Sequence, residues 1–353
     1  MCALADAYGP CAAYRGILVE RGYDIVHVQT YGDVSPYLAA NHDSGLYLAD
    51  IVHSGDPAVT AERIRRSWQV EFLVPGLETG FHTASSIAAA LGLPHNAGFH
   101  EPWSKGATYE ALRAAGVPAA KYLSVASIDD IDAALEWVSS TCGYPVVSKP
   151  PESAGADDVH VCSNAEHLAR AIRGTLGRKN TLGLPNRSVV LQEFLRGEEY
   201  IVDTVSRGGE HYVCLLLRCH KRLVGDGRMI YDRCELIPCE GEVADVLSTY
   251  IKQVLDALKY HEGPAHSEVM LTERGPRLIE TNPRLDGGLS PEAEAACIGY
   301  GQRELTIDAF SAPDLWRAKS AQPYRILQQM TLVCGISERS GTLLEIPMAG
   351  WLP

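Results

Sequence analysis

No stretch of the 353-residue chain approaches the roughly 18 consecutive apolar residues that a membrane span needs. Positive charge is in deficit as well: 31 Lys and Arg stand against 44 Asp and Glu, a formal net charge of −13. Nucleic acid and anionic membranes both call for a basic face, so neither is an expected partner. A small phosphate-bearing substrate escapes that exclusion, because a few well-placed cations serve it. The N-terminal MCALADAYGPCAAYR lacks the basic n-region and apolar core of a secretory signal. There is no C-x-x-C, no G-x-x-x-x-G-K-S/T phosphate loop, no internal repeat and no low-complexity tract. What is present is ordinary for a folded protein: 46% apolar and 21% charged residues. At about 150 residues per domain, the length suggests two or three domains.

Ten cysteines are the unusual entry in the composition. Two C-x4-C pairs, Cys214/Cys219 and Cys234/Cys239, invite comparison with a four-thiolate zinc site. Both lie in strand-like stretches, where positions five apart point to opposite faces. Packed free thiols are therefore expected, in a reducing, cytoplasmic protein.

Three sections follow one another. Residues 1–100 alternate short apolar runs (24–28, 46–52, 70–74) with helical patterns (11–21, 60–67, 79–91), the signature of a parallel, doubly wound α/β sheet. Ligands of such sheets bind beyond the carboxyl ends of strands. That makes Pro75–Gly80 a candidate binding loop, although an ordinary βα turn would look the same. Residues 101–187 read as helix 105–115, strand 119–125, helix 127–140, strands 144–149 and 159–162, and a helix to about 176. Ser127 with Asp130, and Ser163 with Glu166, stand as capping boxes. From 188 to 353 the pattern turns to hairpins, with a helix near 241–259 before a last strand pair, 266–271 and 276–282.

That last pair carries the most chemistry. If Glu273-Arg274-Gly275 forms a three-residue loop, Thr272 pairs with Pro276 and Glu268 falls opposite Glu280. Directly opposed Cβ atoms lie about 4.5–5.5 Å apart, so two carboxylates there need a cation or a proton between them. Asn282 shares the strand face of Glu280, and the three form a hard-oxygen set suited to Mg²⁺ shared with phosphates. A solvated carboxylate pair on an exposed face is the plain alternative. Upstream, Lys149 ends an apolar strand before the small-residue turn Pro150–Asp158, an arrangement suited to phosphate. Between these, LQEFLRGEEY (191–200) runs from a strand into a turn, with main-chain groups for an adenine edge and Glu199 for ribose hydroxyls.

In this order, Tyr144–Lys149 with its loop, QEFLRGEEY, and E-x11-E-T-N-P-R resemble the ATP-grasp superfamily over about Lys105 to Gly288. SAGADDVHVC, EEYIVDTVS and GPAHSEVML look most like the L-amino-acid ligases that make dipeptides in bacterial secondary metabolism. The resemblance implies an ATP-grasp fold of mixed α/β and α+β character, preceded by the doubly wound domain. It makes Lys105 and Lys149 the ATP-contacting lysines, and Ser153, Ala154 and Gly155, with the residues to Asp157, the loop over the triphosphate. Glu193, Phe194 and Leu195 would line adenine and Glu199 hold ribose. Glu268, Glu280 and Asn282 would bind Mg²⁺, Arg284 contact the transferred phosphate or a substrate carboxylate, and Lys221 reach the γ-phosphate. The implied activity is ATP-dependent ligation of a carboxylate and an amine, both amino-acid-like, through an acyl phosphate. Related ligases are often dimers, which leaves a homodimer open. A bicarbonate-activating enzyme of the same fold and a non-catalytic ATP-binding module stay as alternatives. Two features depart from the pattern. Asp158 stands where related loops carry glycine, and the chain stops at GTLLEIPMAGWLP, where such ligases continue, which reads as a compact version or a trimmed one.

Overall fold

The computed structural model describes residues 1–30, 42–96, 103–153, 157–224, 228–335 and 342. The N-terminal part is a four-stranded parallel sheet of β1 (Cys2–Ala5), β2 (Ile25–Gln29), β3 (Ala49–Val52) and β4 (Leu73–Pro75), in the order β3-β2-β1-β4. Strands β1, β2 and β4 are buried because both faces are covered, whereas β3, at the edge, is only partly buried. On one side, α2 (Pro57–Ser67) and α3 (Phe81–Leu91) pack Ile64 and Ile87 against Val26, Val28 and Leu73. On the other, α1 (Tyr14–Glu20) brings Tyr14 and Leu18 onto Leu4 and Val74.

The middle of the chain comprises α4 (Lys105–Ala115), β5 (Tyr122–Val125), α5 (Ile131–Thr141), β6 (Val146–Lys149), β7 (His160–Cys162) and α6 (Ala165–Thr175). Strand β8 (Val189–Glu193) joins this sheet, in the order β5-β8-β6-β7, although a division at 187 had set it in the next section. Its apolar side chains Val189 and Leu191 explain the pairing, since they complete the core built by Val138, Leu168 and Ile172. The expected capping boxes are replaced by simpler caps. Ser127 accepts from the Asp129 N–H, and Asn164, rather than Ser163, accepts from the His167 N–H. Asn164 is the better placed of the two, with an extended backbone and an amide oxygen that reaches the third helical N–H.

The large sheet is antiparallel and six-stranded: β9 (Glu198–Arg207), β10 (Glu210–Val224), β11 (Arg228–Leu236), β12 (Gly263–Thr272), β13 (Gly275–Asn282) and β14 (Thr331–Val333), ordered β13-β12-β9-β10-β11-β14. Helix α7 (Glu242–Ala257) covers one face through Leu247, Ile251 and Val254. The later helices α8 (Pro291–Ile298), α9 (Gln302–Ser311) and α10 (Pro313–Ser320) were not read from sequence. Of these, α9 sends Ile307 and Phe310 into the α1 face of the parallel sheet and Leu305 onto Val205 of the large one. It thereby ties the first and last parts of the chain together. All ten cysteines are free thiols, and Cys219 faces Cys234 across β10 and β11. No described helix is long and apolar enough to cross a membrane.

Candidate active site

The β12–β13 hairpin corrects one expectation and keeps another. Thr272 pairs with Gly275, so the loop has two residues, Glu273 and Arg274, and not three. Glu268 nevertheless faces Glu280, because a bulge beside Val269 leaves Ile279 as an extra residue in β13 and restores the register. The bulge has a further effect. Strand β13 lies at the sheet edge, where outward carbonyls need partners from elsewhere. The Ile279 carbonyl accepts from Lys149 Nζ at 3.0 Å and from the Tyr109 hydroxyl at 2.8 Å, and the Thr281 carbonyl accepts from Trp103 Nε1 at 2.8 Å. One strand edge thus anchors the start of α4 and the end of β6 beside the carboxylate pair.

Around Glu280 the charges interlock. Lys105 Nζ lies 3.1 Å from Glu280 Oε1, which also accepts from the Asn282 amide at 3.0 Å. Burial alone would raise the Glu280 carboxyl, but Lys105 and Lys149, with Asn282, hold it down at about 2. Burial dominates at Lys149, whose ammonium falls to about 8 despite the attraction of Glu280. A second group continues along the sheet. Lys221 Nζ sits 2.7 Å from Glu199 Oε1, 3.9 Å from Glu268 Oε2 and 4.3 Å from the centre of the Tyr231 ring. The Tyr231 hydroxyl also donates to Glu199 Oε1, at 2.9 Å. A bulge at Asp232 sets Tyr231 opposite Lys221. Burial raises the Glu199 carboxyl, and Lys221, which burial would lower, is raised by Glu268 and Glu199.

An open cleft with about 880 Å³ of empty space, part of it open to solvent, runs between these elements. The start of α4, Pro151–Ser153, Leu182, Leu184 and Leu278–Asn282 form its walls, and Glu78, Thr79 and His82 close it from the parallel-sheet domain. Glu78 and Thr79 of the Pro75–Gly80 turn therefore stand in the cleft wall. Gly80 is required there: a Cβ would lie 1.7 Å from Asp6 Oδ2 and 2.4 Å from Thr30 Oγ1. Glu78 Oε2 meets Arg284 Nε at 3.0 Å, joining this turn to the end of β13.

The model of the phosphoribosylglycinamide synthetase ATP-grasp (A) domain matches residues 104–288, which include both lysines, the carboxylate pair and all of the cleft lining but Glu78, Thr79, His82 and Trp103. The chain belongs to the ATP-grasp family. It is 30% identical to dapdiamide A synthase of Enterobacter agglomerans over 299 residues, 83% of this chain and 69% of that protein. It is 26% identical to the L-arginine-specific L-amino acid ligase of Bacillus subtilis, covering 68% of this chain and 56% of that enzyme. The L-amino acid ligase of Bacillus licheniformis shares the fold, with a TM-score of 0.66 at 16% identity over 92% of this chain and 78% of that one. Relatives named as ligases favour an ATP-dependent carboxylate–amine ligase over a bicarbonate-activating enzyme or a non-catalytic module.

Within this ATP-grasp frame, Lys105, Ser153, Glu280 and Asn282 line the cleft, while Lys149 is buried beneath it. Glu199, Lys221 and Glu268 form the adjoining group on the large sheet, and Arg284 pairs with Glu78. Leu195 packs on Tyr109 and Ile279, so its segment runs alongside the cleft. The Glu193 carboxylate accepts from the Lys121 N–H and from Arg274. Ala154 and Gly155 lie outside the described residues. Asp158 adopts φ +51°, the left-handed conformation its glycine-like place requires.

Sequence reasoning missed Glu78 as an individual residue, and with it Tyr109 and Tyr231, which orient Lys149 and Glu199 through contacts no linear spacing reveals. Of the two histidines that flank the site in sequence, His220 lies 3.6 Å from Glu235 and does not line the cleft. His266 is buried between Asp203 and Asp286. Burial would lower its pKa, but Asp286 and Asp203 raise it to about 9, so at neutral pH it has little capacity to deprotonate an amine.

Proposed function

We infer that the chain is an ATP-dependent ligase that joins an amino-acid-like carboxylate to an amine and releases ADP and phosphate. The observation that carries this reading is the bulge-set pair Glu268 and Glu280, with Lys105 and Lys149 drawn onto the same strand edge. Lys105 and Lys149 are assigned to the phosphates of ATP, Ser153 to Gly155 to the loop over them, and Phe194, Leu195 and Glu199 to the nucleoside. Glu193 keeps a supporting place at the end of β8, its carboxylate holding Lys121 and Arg274.

The donor set fits Mg²⁺. Two carboxylates face one another with an amide alongside, and Glu280 stays ionised far below the ordinary carboxylate range. Glu268, Glu280 and Asn282 would hold the ion, which when bound neutralises charge on the phosphates. The substrate carboxylate attacks the γ-phosphorus, and the bond to ADP breaks. The amine nitrogen then attacks the acyl carbon, phosphate departs and the amine proton is lost. Arg284, planar and forked, is assigned to grip the carboxylate and then the acyl phosphate. Lys221 is assigned to the γ-phosphate. Positioning and fixed charge carry most of the catalysis in this scheme.

The three-part division is kept near residue 100, and its second boundary moves from 187 to beyond β8, which is counted in the middle part. Ten free thiols accord with work in the cytoplasm. The test is an ADP-release screen across amino-acid pairs, with mass spectrometry of the product. ADP release that requires both an acid and an amine, and yields their amide, is the expected result. Release with bicarbonate alone would overturn it.

A further inference from the structure

We propose that Glu152 receives the amine substrate, binding it as an ammonium ion and accepting the proton it must lose before it attacks the acyl carbon. This deepens the ligase reading above and rests on it. Among the described residues, the carboxylates that line the cleft are those of Glu78, Glu152 and Glu280. Glu78 pairs with Arg284 at 3.0 Å, and Glu280 pairs with Lys105 at 3.1 Å. The Glu152 carboxylate has neither an ion pair nor a hydrogen bond among the described residues. Its main chain, by contrast, is pinned from two sides. The Asn180 amide donates to the Glu152 carbonyl, and the Lys105 N–H donates to the Pro151 carbonyl at 3.2 Å. Next to it, Ser153 Oγ donates to Asp157 Oδ2 at 3.0 Å. The backbone is therefore fixed while the carboxylate is left over for a ligand.

A half-buried carboxylate without a close counter-charge is costly, and more so beside a loop assigned to a triphosphate. Lys105 acts on it only at longer range, being bound to Glu280, and Lys149 donates to the Ile279 carbonyl. An amine substrate supplies the missing charge, because near neutral pH it arrives as an ammonium ion. Burial raises the Glu152 carboxyl against the pull of Lys105 and Arg187, which makes it a better proton acceptor than an exposed glutamate. The other titratable groups of the cleft are placed differently. Glu78 and Glu280 are held by their cations, and His82 stands on the parallel-sheet side, in the first turn of α3. In the proposed step the ammonium gives one proton to Glu152, and the freed lone pair forms the C–N bond. The C–O bond to phosphate then breaks, and the departing phosphate carries away the second N–H proton. Glu152 returns its proton to solvent through the open cleft.

The test sets two nucleophiles against one acid. Each proteinogenic L-amino acid is offered with hydroxylamine and MgATP, and the acid giving most hydroxamate is then paired with each amino acid as amine. Hydroxylamine is largely unprotonated near neutral pH and needs no base, whereas an amino acid must be deprotonated. Glu152→Gln should lower kcat/KM for the amine by about 100-fold and for hydroxylamine by less than about threefold. Between about pH 7 and 8.5, amide formation by the parent should be flat, and that by Glu152→Gln should rise about tenfold per pH unit as free amine accumulates. Equal losses with both nucleophiles, or a flat profile in Glu152→Gln, overturn the assignment. So does a slope that appears in His82→Gln instead. If Glu152→Gln fails to fold by circular dichroism, Glu152→Asp, which withdraws the carboxylate by one methylene, should slow the amine and spare hydroxylamine. Equal losses there are equally fatal. Hydroxamate without amide from any amino acid also removes the assignment, since no ammonium is then taken. No ADP and no hydroxamate with any acid removes the ligase reading and this assignment together, whereas hydroxamate and amide in an unmoved ratio remove Glu152 alone.

Discussion

Glu280→Gln is the sharpest probe of how the cleft is held together. In the protein this carboxylate is the shared partner of Lys105 at 3.1 Å and of the Asn282 amide at 3.0 Å, with Lys149 close enough to act through charge. Against a burial effect of opposite sign, these partners take its pKa from 4.5 to about 2. A difference of that size corresponds to about 3 kcal/mol. A carboxyl depressed in the folded state adds stability above its unfolded pKa and loses it as pH falls through the folded one. Of this contribution, about 2 kcal/mol should be gone at pH 3. Urea unfolding in EDTA without nucleotide, at pH 7 and pH 3, reads it directly. The parent should lose about 2 kcal/mol more between those pH values than Glu280→Gln does. A cycle with Lys105→Met adds a second reading, since Lys105 is the largest of the favourable partners. Its coupling to Glu280 should be about 1–2 kcal/mol, and additivity within about 0.3 kcal/mol with matching acid limbs would refute the reasoning.

Other substitutions address separate steps. Burial lowers the Lys149 ammonium from 10.5 to about 8, so the unfolded chain binds more protons between those values and stability should rise with pH across that window. Lys149→Met should abolish this rise in melts recorded from pH 8 to 10.5, and lower ADP release by at least about 100-fold. Gly80→Ala forces a Cβ to 1.7 Å from Asp6 Oδ2 and should cost about 2–4 kcal/mol in thermal or urea unfolding. Asp158→Ala, at φ +51°, should cost about 1 kcal/mol, whereas Asp158→Gly should cost nothing measurable.

The strand and helix alternation of the first 100 residues was legible because each element buries an apolar face, and periodicity reports burial directly. The same holds for β12 and β13, where alternation sets the faces of Glu268, Glu280 and Asn282. The loop length between them was misjudged, yet the carboxylates still met, because a bulge at Ile279 compensates for the shorter turn. Bulges leave no mark in hydrophobic periodicity, and this one also frees the carbonyl that receives Lys149. The partners of the Glu193 carboxylate went unread for a related reason. A glutamate at a strand end looks available in sequence, while in the fold Lys121 and Arg274, 72 and 81 residues away, occupy its oxygens. Glu78 eluded individual notice because its partner, Arg284, is 206 positions on and belongs to a different sheet. Long-range pairing of single polar residues is the part of a site that local pattern carries least.

That pairing also explains how a chain of net charge −13 takes a triphosphate. Lys105 is held by Glu280, Lys221 by Glu199 and Glu268, and Arg284 by Glu78, so each of these three cations has a carboxylate partner within the protein. A phosphate that recruits Lys105 or Lys221 releases carboxylates that are largely buried, and like charges that close repel unless a cation replaces the lysine. Nucleotide binding should therefore depend strongly on the divalent ion. Breaking buried pairs without replacement costs about 3 kcal/mol or more, so ATP in EDTA should bind at least about 100-fold more weakly than MgATP by calorimetry. In Glu268→Gln/Glu280→Gln the released carboxylates are gone, and the gap between ATP and MgATP should narrow to within about tenfold, even as turnover is lost. Equal affinities for ATP and MgATP in the parent would mean that the lysines reach the phosphates without leaving their glutamates, and the exchange argued here would not operate.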